Sequence, residues 1–232
     1  MNLNQKLFLA QYGSEKHLDD IASKLDPRNH NIHDEFVFQA SLNPNLQEHH
    51  MHKLLDYGES DSIRNIAKRN QIPDSIRSKL MNNEHRSVQI SFANRKDLTD
   101  EEVKHLAQHP MNVPSLVYDY TDPRIKINDH RFNQVLEHGP FESKRKLAEL
   151  NHLKSEHFEK LLNHDDEHGS IASEIARNRH SIPLDIQEHL LEHPVPKVRS
   201  LLAMNHKASP YINTLLKKDP HPVVRDLANA RR

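Results

Sequence analysis

The 232-residue chain contains no cysteine and no tryptophan, and only four glycines. The missing cysteine excludes disulfides, thiol catalysis and cysteine-ligated zinc. So few glycines leave no loop to cradle a phosphate, and neither a GxSxG nor an HExxH pattern occurs. Aromatic residues are scarce, at 5%, and the mean hydropathy is −0.86. Both suit a thin core shared among small units better than one thick globular core. A surplus of charge is also lacking: the formal net charge is −1, so there is no global polycation to attract nucleic acid. Long apolar runs are absent too. Leu7-Phe8-Leu9-Ala10 is too short for a signal peptide, and nothing approaches a transmembrane span. A soluble, cytoplasmic protein is the expectation.

What the chain does have is a recurring phrase, clearest from Lys197 to Pro222. Val198, Leu201 and Leu202 fall at i, i+3 and i+4, the apolar stripe of a helix. Asn205 breaks the pattern, and the expectation is that it closes the helix in the left-handed conformation, which Asn tolerates. Ser209-Pro210 reads as N-cap and first helical position of a second helix. Ile212, Leu215 and Leu216 give that helix an apolar face, and Asp219-Pro220-His221-Pro222 stops it. The phrase returns in Ile171–Pro196 and Ile63–His85, with Asn178 and Asn70 as the stops. It returns more loosely in Lys144–His168, Val88–His109 and Phe36–Leu55 with Asn151, Asn94 and Asn43, and last in Val224–Asn229.

Taking Phe36, Ile63, Val88, Leu116, Lys144, Ile171, Val198 and Val224 as equivalent points, the steps are 27, 25, 28, 28, 27, 27 and 26 residues. A period of roughly 27 residues signifies a solenoid or array, because one helix pair cannot bury its own apolar face. The expected fold is all-α: a right-handed α-solenoid of about eight two-helix repeats, with no strands. One domain spans 1–232. Residues 1–35 form N-terminal capping helices, 36–110 regular repeats, 111–140 an irregular repeat, and 141–232 regular repeats with a C-terminal cap.

The phrase resembles the HEAT-like superfamily, most closely its leucine-rich-variant (LRV) type. Asp219, Val224, Arg225, Ala228 and Asn229 carry the likeness best, followed by Lys197–Leu216 and Asp61–Leu80. The resemblance implies an α-solenoid that binds other macromolecules, and it carries no catalytic site. It also implies that the recurring Arg64, Arg145, Arg199 and Arg225 pair with acids near the inter-repeat turn, where Asp61 and Asp219 stand. Such pairing outweighs the reading of a basic ladder for phosphates.

Met111–Pro140 has the length of a repeat without its phrase. It gathers Tyr118, Asp119, Tyr120, Arg124, Lys126 and Arg131, and irregular repeats often sit at binding faces. These six are the candidate partner-binding residues, against the plainer reading that Tyr118 packs inward. The second helices should present a mixed-charge surface through Arg77, Glu102, His105, Gln134, Glu156, Lys160, Gln187, Asn213 and Lys217.

Twenty histidines invite a metal reading. Most recur near helix ends (His85, His109, His138, His164 and His193 after second helices; His152, His180 and His206 after the Asn stops), where a His can bond a free carbonyl. Equivalent residues of stacked helices stand about 8–10 Å apart, too far to share one zinc. Only His49-His50-Met51-His52 and His164–His168 are local enough to ask about. No metal ligand, cofactor or small-molecule substrate is assigned.

The function expected is a non-catalytic protein-binding scaffold, with another protein as partner and no membrane. The alternative is nucleic-acid binding, similar to the HEAT-like alkylpurine DNA glycosylases. Tyr118, Asp119, Tyr120 and Arg124 are the one cluster with ingredients similar to theirs. The negative net charge and missing tryptophan weigh against it, although residues 61–100 hold eight Lys/Arg to five Asp/Glu. A structural subunit of a larger assembly, such as a virion, is the third reading.

Overall fold

A computed structural model describes residues 2–26, 34–119, 126–178 and 180–231. The described residues form 17 α-helices, one 3-10 turn and one two-stranded ribbon. No described helix is long and apolar enough to cross a membrane. The chain falls into two compact units, Met1–Leu106 and Ala107–Arg232.

The first unit holds α1 (Leu3–Tyr12), α2 (Glu15–Lys24), α3 (Asp34–Leu42), α4 (Glu48–Tyr57), α5 (Ser60–Ala67), α6 (Asp74–Met81), α7 (Arg86–Ala93) and α8 (Asp100–Leu106). The odd helices pack in succession, α1 on α3 on α5 on α7, and the even helices likewise from α2 to α8. Ala10, Ala40, Ala67 and Ala93 are all buried near the ends of the odd helices, where a small side chain lets neighbours approach.

The second unit starts with a 3-10 turn (Pro110–Asn112), α9 (Val113–Val117), β1 (Tyr118–Asp119), β2 (Lys126–Ile127) and α10 (Asp129–His138). It continues with α11 (Phe141–Ala148), α12 (Ser155–Leu162), α13 (Ser170–Ala176), α14 (Leu184–Leu191), α15 (Pro196–Met204), α16 (Pro210–Leu216) and α17 (Pro222–Ala230). Here α11, α13, α15 and α17 pack in succession, as do α12, α14 and α16. The expected stripe of α15 is buried at Val198 and Leu202 and that of α16 at Ile212 and Leu216, while Leu201 and Leu215 are only half-buried. Ser209 caps α16 by accepting the Ile212 N–H, with Pro210 in the first turn, as the Ser-Pro pair predicts.

Two expectations fail. The first concerns strands: β1 and β2 pair antiparallel, with Tyr118 opposite Ile127 and Asp119 opposite Lys126. Two-residue strands are too short to show an alternating pattern. The second concerns the Asn stops. Asn205 is extended, with φ −77° and ψ 108°, and Asn94 stays near helical values at φ −72° and ψ −6°. His152 is the only non-glycine with positive φ among the described residues.

The asparagines instead act at a distance. Asn205 Nδ2 donates to the carbonyls of Ala176 (2.8 Å) and Asn178 (2.9 Å) at the end of α13. Asn178 Nδ2 donates to those of Ala148 (3.1 Å) and Leu150 (3.3 Å) after α11. Asn43 does the same to Ala10 (2.9 Å) and Gly13 (3.1 Å) after α1. Each Oδ1 accepts the N–H two residues on, at Asn45, His180 and Lys207. One side chain therefore shapes its own turn and satisfies the orphan carbonyls of the preceding odd helix.

At the equivalent rungs of α5 and α7 the residue is arginine. Arg69 Nη1 donates to Asn43 O (3.0 Å), and Arg95 Nη1 to Ala67 O (3.0 Å). Asn70 and Asn94 do not take this part. Arg231 reaches back to the carbonyls of His206 and Ala208 in the same way.

Candidate functional site

Four of the six proposed partner-binding residues, Tyr118, Asp119, Lys126 and Arg131, lie at or beside the ribbon of the second unit. Asp119 and Lys126 stand opposite one another across it. Arg131, in the first turn of α10, donates from Nη1 to Leu116 O (3.3 Å), and its N–H is capped by Asn128 Oδ1 (3.1 Å). Tyr118 is half-buried, and its hydroxyl oxygen accepts the N–H of Asn151 at 2.7 Å. That bond ties the ribbon to the turn after α11, where the rung position holds Leu150 and has no side-chain donor. Tyr120 and Arg124 lie outside the described residues.

Several side chains expected on the surface of the even helices are inside. Arg77, Gln134 and Gln187 are buried. Arg77 grips Glu102 with both ends of its fork, Nε–Oε1 at 2.7 Å and Nη2–Oε2 at 2.6 Å, and also donates from Nη1 to Asp97 (2.9 Å). Its guanidinium lies 5.4 Å from the centre of the Phe92 ring. Gln187 donates to Ile182 O (2.6 Å) and accepts the Ser209 N–H (2.7 Å). Arg77 and Gln187 thus join successive even helices, while Gln134 Oε1 is buried with no hydrogen-bond partner among the described residues. Glu156 and Lys160 do reach solvent.

Arg199 and Asp219 form a bidentate pair at 2.7 and 3.1 Å, and the Arg199 Nη1 donates to His193 O at 2.6 Å. Arg225 in α17 makes the same kind of contact, donating to Asp219 O at 2.7 Å. Arg199 and Arg225 therefore close the turns that lead into their own helices, whereas Arg64 pairs with Asp61 and Arg145 with Glu142 (3.1 Å) inside theirs.

Two clusters could by distance hold a metal: Asp19, His49 and His50 in the first unit, and Asp129, Glu156 and His157 in the second. They are built alike. His50 and His157 each occupy the third position of an even helix and are buried. The Nε2 of each meets a carboxylate of the preceding even helix, Asp19 Oδ1 or Asp129 Oδ1, at 2.9 Å in both cases. The Nδ1 of each accepts the N-cap N–H, from Gln47 at 3.1 Å and from Lys154 at 3.0 Å.

That second bond decides the chemistry. A ring nitrogen that accepts a backbone N–H carries no proton, so in the neutral ring the proton sits on Nε2 and is donated to the carboxylate. A metal at Nε2 would need the proton on Nδ1 and would break the cap. A general base needs a free lone pair, and neither ring has one. Both histidines are thus caps locked to the neighbouring helix. Hydrogen bonds from His49, then His50, hold the Asp19 carboxyl below its usual range. Burial pushes the Asp129 carboxyl up, but the bonds from His157 and Lys154 outweigh it and the net shift is downward.

His109 and His193 also differ from expectation. Each precedes a proline and accepts, through Nδ1, the N–H two residues on, from Met111 (3.3 Å) and Val195 (3.2 Å). Asp219 before Pro220 does the same for His221 at 2.8 Å. The histidine imitates an Asx turn at the start of the next helix.

No protein-family model, no curated protein and no solved structure matches this chain.

Proposed function

We propose that the chain is a non-catalytic protein-binding scaffold, each of its two units being a stretch of right-handed α-solenoid built from HEAT-like two-helix repeats. The observation that carries this reading is the succession of like helices within each unit, with each rung side chain satisfying the preceding repeat. Such stacking spreads the core along the chain and leaves an extended surface, the usual platform for another macromolecule. The His–Asp pairs, the groups closest to a catalytic arrangement, have both ring nitrogens committed to structure. The surface we assign to the partner is the ribbon of the second unit, with Tyr118, Asp119, Lys126 and Arg131 together with Tyr120 and Arg124.

Affinity capture from lysate of the source cells, with and without nuclease and followed by mass spectrometry, tests the reading. A discrete protein that survives nuclease, and is lost on replacing Asp119 and Lys126 by alanine, supports it. Recovery of nucleic acid alone, vanishing as salt rises, overturns it in favour of the nucleic-acid alternative.

A further inference from the structure

An open cleft of about 380 Å³ lies in the first unit where α5 and α7 end, rimmed by Lys68, Arg69 and Asn70 on one side and by Asn94, Arg95, Lys96 and the carboxylate-bearing Asp97 on the other. The charges around it are unequally balanced. Arg95 donates to Asp97 from Nε (2.8 Å) and Nη2 (2.7 Å), and Asp97 also takes Arg77, whose other partner is Glu102. Two guanidiniums thus meet two carboxylates. Arg69 has no such balance: it donates only to the carbonyls of Ser41, Asn43 and Pro44, and burial pushes its pKa down, as expected of a cation without a counter-ion. The ammonium of Lys68 is exposed and has no carboxylate partner among the described residues.

We propose that this cleft receives the phosphate group of a phosphorylated segment of the protein partner, an inference that rests on the scaffold reading. Helix C-termini ordinarily repel anions. Here Arg95 occupies the carbonyls of Ala67 and Asn70 that end α5, so the cleft presents guanidinium and ammonium instead. A dianion is matched by two or three such groups, with the Arg fork supplying direction. The cations are also confined. In the first unit the rung at Asn43 is neutral; in the second, those at Asn178 and Asn205 are neutral, Arg177 is taken by Glu174 at 2.7 Å, and Arg231 is a single cationic rung with no second one beside it among the described residues. A nucleic-acid backbone would call for cations on rung after rung, whereas one compact anion needs this pair of rungs alone.

The test is an NMR titration of the ¹⁵N-labelled full chain with N-acetyl-O-phosphoserine amide. Inorganic phosphate, a single-stranded oligonucleotide and sodium chloride at matched ionic strength run in parallel. The inference expects saturable shifts at residues 68–70 and 94–97 with the phosphoserine probe. Replacing the exposed Lys68 (K68Q) should weaken that binding about tenfold while the melting temperature stays unchanged. Shifts no larger than those from chloride overturn it. Saturation by inorganic phosphate but not by phosphoserine overturns the assignment to a phosphorylated segment. Tighter, steeply salt-dependent binding of the oligonucleotide at the same residues overturns it in favour of nucleic acid. Absence of any captured protein would instead count against the scaffold reading, and that is read in the lysate experiment.

Discussion

Asn205 donates its carboxamide N–H to the carbonyl of Asn178 at 2.9 Å, while Asn178 donates its own to Leu150 at 3.3 Å. The two asparagines are thus consecutive links of one relay, buried on both sides. A link removed leaves two carbonyls at the end of the preceding odd helix buried without partners, which costs more than the bond itself is worth. Asn205→Leu should therefore destabilise the chain by about 2 kcal/mol. Asn205→Arg should retain more stability, because arginine fills the same place at Arg69 and Arg95. Thermal melts of the two variants decide it; equal losses would show that the relay does not tolerate the exchange.

Acid should weaken the fold in a defined window. Burial pushes the carboxyls of Asp219, Asp97 and Glu102 up, but hydrogen bonds outweigh it and all three lie below their ordinary values. The bonds come from Arg199 to Asp219, from Arg95 and Arg77 to Asp97, and from Arg77 to Glu102. A depressed carboxyl holds its proton less well folded than unfolded. Its contribution is full above the unfolded values of 3.8 for Asp and 4.5 for Glu, and is lost as pH falls through the lower folded value. Melting temperature should therefore drop below about pH 4. Asp219→Asn should lose about 3 kcal/mol at pH 7, because Arg199 is left buried without its carboxylate, and should show a shallower acid limb. An acid limb as steep as that of the parent chain would rule Asp219 out as a contributor.

The rings of His50 and His157 should be the Nε2–H tautomer at neutral pH. Long-range ¹H–¹⁵N correlation spectra read this directly: Nδ1 should resonate as an unprotonated, pyridine-like nitrogen. Stoichiometric zinc should leave both patterns in place. A protonated Nδ1, or a shift of Nε2 on adding zinc, would restore the metal reading of these clusters.

Tyr118→Phe separates two roles of one residue. If the hydroxyl serves the fold by accepting the Asn151 N–H, its loss should lower stability by about 1 kcal/mol. A melt unchanged from the parent, with partner capture reduced, would place the hydroxyl at the interface instead.

Gly169 and Gly58 make a paired test. Both have positive φ, 66° and 87°. A Cβ on Gly58 would meet nothing within 4 Å, whereas one on Gly169 would lie 2.7 Å from Val198 Cγ2 and 2.8 Å from His193 Cε1. Gly58→Ala should cost about 1 kcal/mol, the backbone penalty alone, and Gly169→Ala clearly more. Equal losses would mean that the neighbours of Gly169 give way freely.

The helices were legible because burial enforces a period that the eye can count. Val198 with Leu202, and Ile212 with Leu216, read from spacing, are buried as spacing demands. The N-cap at Ser209 was legible because its chemistry is local. The rungs were not. Asn43, Asn178 and Asn205 stand out as pattern breaks, but their partners lie 27 to 33 residues upstream. Where a long guanidinium does the same work, the neighbouring Asn70 and Asn94 mislead. The His–Asp pairs were hidden for the same reason, with 31 and 28 residues between partners. Arg77 and Gln187 look like surface residues by type, and only the stacking of one even helix on the next turns them inward. Of the candidate site, sequence showed where the repeat lapses; that Tyr118 stitches the lapse shut required the bond to Asn151.

Among the described residues every such bond runs the same way: the donor comes later in the chain than the helix whose carbonyls it meets. Within each unit the array therefore has a head and a tail. Cutting helix pairs from the N-terminal side leaves a spare Asn or Arg side chain, which water serves well. Cutting from the C-terminal side leaves carbonyls stripped of their donors at the end of a packed helix. During synthesis the same asymmetry means that each helix emerges incomplete and is finished only by residues made about 27 positions later, so the growing end is always the unfinished one.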